Sequence, residues 1–340
     1  MRSFMPRRLL TFVFAALVLL SPALRAQKAS EEVQFDTADK VEIHGTFYAP
    51  GKSKAPCVLL LHKLGGSRDE HGWDQLARAL QKDYAVLRFD FRGHGDSTNI
   101  GPGFWRYPSN VLIKGAARMP QKISYKDFLP GYLPVLANDV AAARHYLDTQ
   151  NDAGVCNSAN VIVIGAEEGA AIGALWITSE WERRRLTKSN FGQWILDPSR
   201  VEGESIAAAV WLSIPRTLSG VSVGLWLRGP ANRVRDKVPM AFFYGDKDQK
   251  ASAAAQALMS ELRLGGREKP DFTKLRAKDT RLAGAELLGK NTLNTEDEIS
   301  IYLEKVMQKR GVKPYVKRDV EGGLPLALVS LSRYGFNLRP

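Results

Sequence analysis

Gly165-Ala166-Glu167-Glu168-Gly169 places a carboxylate at the centre of a glycine-flanked pentapeptide. An apolar run, Val161 to Ile164, precedes it, and a small-residue segment, Ala170 to Trp176, follows. A strand, a sharp turn and a helix in that order expose the middle side chain of the turn. The start of such a helix also offers free backbone N–H groups to a negative charge. A carboxylate displayed there can act as a covalent nucleophile or as a general base. An imidazole would be its natural partner, but His44, His62, His71, His94 and His145, the five histidines, all precede the pentapeptide.

Three more turns follow apolar runs. His62-Lys63-Leu64-Gly65-Gly66-Ser67 comes after Val58–Leu61, and Asp90-Phe91-Arg92-Gly93-His94-Gly95-Asp96-Ser97 after Ala85–Phe89. Gly245-Asp246-Lys247-Asp248 comes after Met240–Tyr244. In order and spacing these segments resemble the α/β-hydrolase superfamily from about residue 32 to the C-terminus. The first is similar to the H-G-x-G-G-S oxyanion loop of esterases and dienelactone-hydrolase-like enzymes, the second to the D-x-R-G-H-G-x-S turn. The pentapeptide resembles the G-x-S-x-G nucleophile elbow, and the last turn the G-x-x-D that supplies the triad acid. The octapeptide is the most specific match.

The resemblance implies an α/β-hydrolase fold, a mostly parallel central sheet with helices on both faces. It puts Glu167 at the nucleophile position and Asp248 at the acid position, with an oxyanion hole made by the backbone N–H groups of Leu64 and Glu168. The triad histidine is expected after the last strand, where Val316 to Leu324 contains none. Serine and histidine are thus both missing. Of the histidines present, His62 and His94 fall in turns where the superfamily has structural imidazoles. His145 reads as a helix-face residue, His44 lies in a hairpin, and His71 is the least constrained. Lys63 stands where the oxyanion loop has its first glycine; it either faces solvent or offsets a Glu167 carboxylate seated in the hole, a self-inhibited arrangement. Glu168 reads as a first-turn acid complementing the helix dipole.

Three functions follow from that reading. One is a catalytically degenerate hydrolase homologue acting in ligand binding or interaction, as gibberellin receptors and neuroligins do on this fold. Another is a structural or surface-interaction protein with residues 98–134 as its contact surface. The third is an active hydrolase using Glu167 as nucleophile or base on an ester-like or other small substrate, with His71 or Asp248 assisting. Haloalkane dehalogenases and epoxide hydrolases resemble that arrangement, but with Asp, one methylene shorter, and a histidine to activate water. A pocket lined by Phe104, Trp105 and the elbow would favour ligand binding.

The elements that must position these residues alternate between strand and helix, which implies parallel βαβ units. Glu32–Thr37 and Val41–Ala49 read as a hairpin. Strands are expected at 58–61, 85–89, 161–164, 207–213 and 240–244, with a last one at Tyr315–Arg318. Helices are expected at 73–80, 135–147, 170–181, 252–262 and 296–309. Residues 98–134 and 265–298 exceed ordinary connection lengths and are candidates for a lid or a surface excursion. Residues 27–340 read as one domain. Trp176, Trp181, Trp194, Trp211 and Trp226 read as packing residues, and Arg183-Arg184-Arg185 as a solvated helix end.

Arg2, Arg7 and Arg8 precede the apolar stretch Leu9–Leu20, and small residues lead to Ala26. This is the pattern of a secretory signal peptide over residues 1–26, and it implies export to the periplasm or outside the cell. The apolar stretch is shorter than the ~20 residues of a spanning helix, so membrane contact is expected only through this segment if it stays uncleaved. The net charge is +12, and the leader's four arginines leave 44 basic against 36 acidic residues. That surplus is spread along the chain with no aromatic-interleaved basic motif, so no nucleic-acid partner is expected. Cys57 and Cys156 have no metal-ligand spacing, and no metal or other cofactor is expected. By the superfamily's strand order they lie on neighbouring parallel strands, so export leaves two readings open, a disulfide or two buried thiols. Oligomeric state is not legible.

Overall fold

The computed structural model describes residues 30–70, 72–263, 273–326, 328–334 and 336; the leader and His71 lie outside them. In chain order the described elements are β1 (Glu31–Asp36), β2 (Glu42–Tyr48), β3 (Ala55–Leu61), α1 (Trp73–Gln81), β4 (Ala85–Phe89) and α2 (Ala137–Asp152). β5 (Cys156–Ala166), α3 (Glu168–Glu182), β6 (Arg184–Lys188), β7 (Trp194–Val201) and β8 (Ile206–Leu212) follow. Then come β9 (Thr217–Leu218), β10 (Val221–Ser222), α4 (Val223–Arg228), α5 (Arg233–Lys237), β11 (Met240–Gly245), α6 (Gln249–Arg263), β12 (Lys274–Lys278) and α7 (Thr295–Arg310).

Eight strands form one sheet in the order β1-β2-β4-β3-β5-β8-β11-β12. The β1–β2 and β2–β4 pairs are antiparallel, and the rest are parallel. Continuous apolar runs suit the central strands because both faces are covered. Alternate residues of β3 part company accordingly. Leu59 and Leu61 join the core shared with α2 and α3, while Val58 and Leu60 join the core under α1 and α7. The result is the expected α/β-hydrolase architecture, a mostly parallel sheet with helices on both faces.

The octapeptide after β4 is a tie point. Buried Arg92 makes a bidentate pair with Asp39 in the β1–β2 turn (2.6 and 2.8 Å) and bonds Asp139 of α2 at 2.7 Å. It also donates to the Tyr132 hydroxyl at 2.9 Å, and that hydroxyl donates to Asn110. Residues 98–134 are thereby drawn into the body of the protein. They fold as a succession of 3₁₀ turns with Phe104, Asn110 and Tyr132 fully buried.

Several expectations need correction. Tyr315–Arg318 is not a strand; the last described strand is β12, within the stretch read as a long connection. Residues 311–326 instead run as an irregular strap past the amino ends of β5 and β8. Asn157 and Asn160 donate to the Lys313 carbonyl, and Arg318 forks onto buried Glu202 with two 2.8 Å bonds. The Arg183–Arg185 run is only partly solvated. Arg183 bonds Glu180 at 2.9 Å, Arg185 is buried against Ser205, and only Arg184 is exposed.

Cys57 and Cys156 are buried free thiols, which overturns the disulfide reading. Cys156 is in register with Ala55 and Cys57 with Val161, and the pairing slips between Pro56 and Cys57. The two cysteines therefore neighbour each other across a slip in register. The contact with Cys57 and burial both push the Cys156 thiol pKa upward, and it donates to the Leu147 carbonyl at 3.5 Å. Alkylation of denatured, unreduced protein should modify both cysteines. The native protein should react orders of magnitude more slowly, since the thiolate is the reactive form. Mass analysis of the two samples checks this.

Candidate functional site

β5 delivers the chain to Glu167 and α3 leaves immediately after it. Glu167 has φ 48° and ψ −120°, a conformation unfavourable for a residue with a Cβ and held here by its surroundings. Both flanking glycines are sterically required. A Cβ at Gly165 would press on the Ala170 backbone, and one at Gly169 would overlap the His62 carbonyl oxygen. Close approach of α3 to the end of β3 thus sets the turn and brings the oxyanion-loop segment beside it.

Lys63 Nζ lies 3.6 Å from Glu167 Oε1, and the two side chains are about equally exposed, 27% and 29%. Burial works against the Lys63 ammonium, yet Glu167, Glu70 and Glu286 together hold its pKa above the ordinary value. Glu167 is shifted upward as well. Burial pushes its pKa up, Lys63 pulls it back, and the Glu168 and Glu286 carboxylates push it up again. On its other side Glu167 rests against Gly284, where a Cβ would overlap its carboxylate. Gly284 sits at φ 56° in the segment after β12.

Asp248 precedes α6, and its Oδ1 accepts from the N–H groups of Lys250 (3.0 Å) and Ala251 (3.1 Å), an N-terminal helix cap. Asp248 and Glu167 line one cavity of about 430 Å³, together with Glu168, Ser213, Arg216 and Ala283. Phe104 and Trp105 are elsewhere. Phe104 is in the core and Trp105 donates to the Pro120 carbonyl, so the aromatic-lined pocket is not formed.

Comparison with known proteins fits this geometry. The sequence model of the alpha/beta hydrolase family matches residues 58–283, more than half of the chain. The chain belongs to that family. No curated protein matches it in sequence. Among solved structures, an esterase from Pyrococcus furiosus is similar with a TM-score of 0.54 at 18% identity, over 82% of this chain and 92% of that one. A dienelactone hydrolase from Anabaena variabilis gives a TM-score of 0.52 at 14% identity, over 84% and 99%. At these identities the likeness extends to the fold alone.

Within an alpha/beta hydrolase the triad histidine belongs after the last strand. With β12 in that position the relevant loop is Asp279-Thr280-Arg281-Leu282-Ala283-Gly284, and it contains no histidine. The stretch read for it from the sequence lies elsewhere. The N–H groups of Arg318 and Val320 donate to Asp152 at the end of α2. Where the imidazole would stand, the chain brings small residues against Glu167.

The described histidines have other partners. His62 Nε2 accepts from the Phe91 N–H (3.0 Å), so its Nδ1–H donates to the Lys63 carbonyl (2.6 Å). His94 Nε2 accepts from the Gly65 N–H (2.9 Å), and its Nδ1–H donates to the Arg92 carbonyl (2.9 Å). Burial keeps both neutral, with pKa values lowered to about 3 and about 4. His94 also stacks on Tyr125, with ring centroids 4.5 Å apart, so the 98–134 segment props the oxyanion loop from behind. His44 bonds Glu42 in the hairpin, and His145 lies on α2. Glu167 is turned toward Lys63.

Ser213, Gly284 and Glu286 were not singled out from sequence. Ser213 directly follows β8, which pairs with the elbow strand, and its place at the carboxyl end of a central strand was the available signal. The other two depended on recognising β12.

Proposed function

We propose that this alpha/beta hydrolase family member binds a small ligand in the cavity beside Glu167 and has lost serine-hydrolase chemistry. The observation that carries the reading is the pairing of Glu167 with Lys63 at the elbow, with Gly284 against its other side. A nucleophile needs a base that takes up and returns protons, and the charged groups acting on Glu167 are Lys63, Glu168 and Glu286, with no imidazole among them. The upward shift of Glu167 would suit a general base, the strongest point in favour of the alternative reading as an active hydrolase. Against it, no described histidine reaches the cavity, and the glutamate is committed to an ion pair. Export, inferred from residues 1–26, would place this binding activity in the periplasm or outside the cell.

The purified protein is expected to hydrolyse p-nitrophenyl acetate no faster than its Glu167→Gln variant, and neither protein should label with a fluorophosphonate. Saturable turnover that disappears in Glu167→Gln would establish the carboxylate-dependent hydrolase instead.

A further inference from the structure

We propose that the segment between β4 and α2 carries a groove for an acidic polysaccharide, a chain of carboxylate-bearing sugars that packs on Trp105 and is held by Lys40, Arg106 and Lys122. This groove is distinct from the cavity beside Glu167, and the inference does not rest on the reading given to that cavity.

Residues 98–126 contain five cations, Arg106, Lys114, Arg118, Lys122 and Lys126, and no acid. All five are exposed, and none is in an ion pair among the described residues. Arginines elsewhere are matched, with Arg88, Arg92, Arg144 and Arg318 each against a carboxylate. Charge of one sign left unbalanced along one segment concentrates ions of the other sign.

A pair of cavities in the same segment is the second, independent observation. The larger, of about 690 Å³, is lined by Ile100, Pro102, Trp105, Met119, Pro120 and Lys122 among others. Its neighbour, of about 280 Å³, is lined by Lys40, Arg106 and Tyr107 and shares Pro102 and Gly103 with it. Neither lining contains a carboxylate. Asn99 on the rim bonds Glu42, an acid that His44 also engages. The walls are fixed in advance. The Gly101 N–H donates to the Lys40 carbonyl (2.6 Å), the Tyr107 hydroxyl to the Ala38 carbonyl (2.8 Å) and the Trp105 indole N–H to the Pro120 carbonyl (3.1 Å). A preformed groove spares a ligand the cost of ordering it.

The chemistry of the walls selects among anions. The Trp105 N–H is taken, so what the indole offers is its ring, and Ile100, Pro102, Met119 and Pro120 add aliphatic C–H groups. A pyranose has apolar C–H faces that pack on such walls while its carboxylate meets the cations. Bases of a single-stranded nucleic acid stack on successive aromatic rings, and the larger cavity offers one ring among four aliphatic side chains.

The test titrates the whole protein at low salt, by calorimetry and NMR, with hexameric oligogalacturonate and with its methyl ester, which keeps the sugars and removes the charge. A thymidine hexanucleotide and vesicles of phosphatidylglycerol are the competing anions. The oligogalacturonate is expected to bind about tenfold more tightly than the ester, to weaken as salt rises and to shift the Trp105 indole resonance, identified with Trp105→Phe. Arg106→Glu and Lys122→Glu should each lower its affinity by about fivefold or more, while the same reversal at exposed Lys305 on α7 should not. All three variants should unfold at the urea midpoint of the unaltered protein, which reports an intact fold. Equal binding of acid and ester, no binding of either, an equal loss in Lys305→Glu or an unshifted Trp105 resonance would overturn the groove. Tighter binding of the oligonucleotide or of the vesicles would overturn the polysaccharide assignment in favour of that partner.

Discussion

Arg92→Ala should cost about 3–5 kcal/mol of folding free energy, read from urea unfolding. The guanidinium is completely buried and is shared by Asp39 and Asp139, which are themselves buried. Removing it strands two carboxylates away from water and breaks the Arg92–Tyr132 link to residues 98–134. Arg78 is the control. Its 2.7 Å bond to Asp74 matches the Arg92–Asp139 distance, yet it sits on an exposed face of α1. Solvent screens that pair, so Arg78→Ala should cost at most about 0.5 kcal/mol. Equal losses for the two variants would mean that desolvation of Asp39 and Asp139 is not what holds this turn.

The second large effect concerns the elbow. Glu167→Ser alone should give no esterase activity, because a hydroxyl without its imidazole gains little of the triad's cooperative effect. Ala283 is the position for the missing base. It lines the same cavity as Glu167 and Asp248, and its backbone is extended, with φ −132°. The adjacent Gly284 is a poor choice, since it has a left-handed backbone and no room for a Cβ. Glu167→Ser with Ala283→His should hydrolyse p-nitrophenyl acetate roughly 10²-fold faster than Glu167→Ser, the scale of a general base. Robust, fluorophosphonate-sensitive turnover by Glu167→Ser alone would mean that a histidine already reaches the site. His71 would then be the first to replace.

The features legible in the sequence were local ones. The elbow, the octapeptide and the buried strands are each specified within a few consecutive residues, by glycines at crowded turns and by uninterrupted apolar runs. β12 was not legible because Lys274-Leu275-Arg276-Ala277-Lys278 is an edge strand, and charged side chains suit an edge while hiding the strand pattern. That one omission displaced the expected histidine loop by some forty residues and concealed Gly284 and Glu286. Tyr315–Arg318 misled in the opposite sense. It belongs to no regular element, and Asn151 and Asp152 side chains satisfy its backbone groups where a neighbouring strand would otherwise do so. The Lys63–Glu167 contact was foreseeable as a countercharge, whereas the direction Glu167 faces was set by long-range packing.

The strap formed by residues 311–326 bears on how the chain is completed during synthesis. Asp148 and Glu202 are buried at the amino ends of the central strands, and Arg318 forks onto Glu202 and lies 3.5 Å from Asp148. Arg318 leaves the ribosome more than a hundred positions after Glu202. Until it arrives, one end of the sheet holds acids whose full set of countercharges does not yet exist. The strap therefore acts as a latch, and an emerging chain stays open at that end until Arg318 has been made.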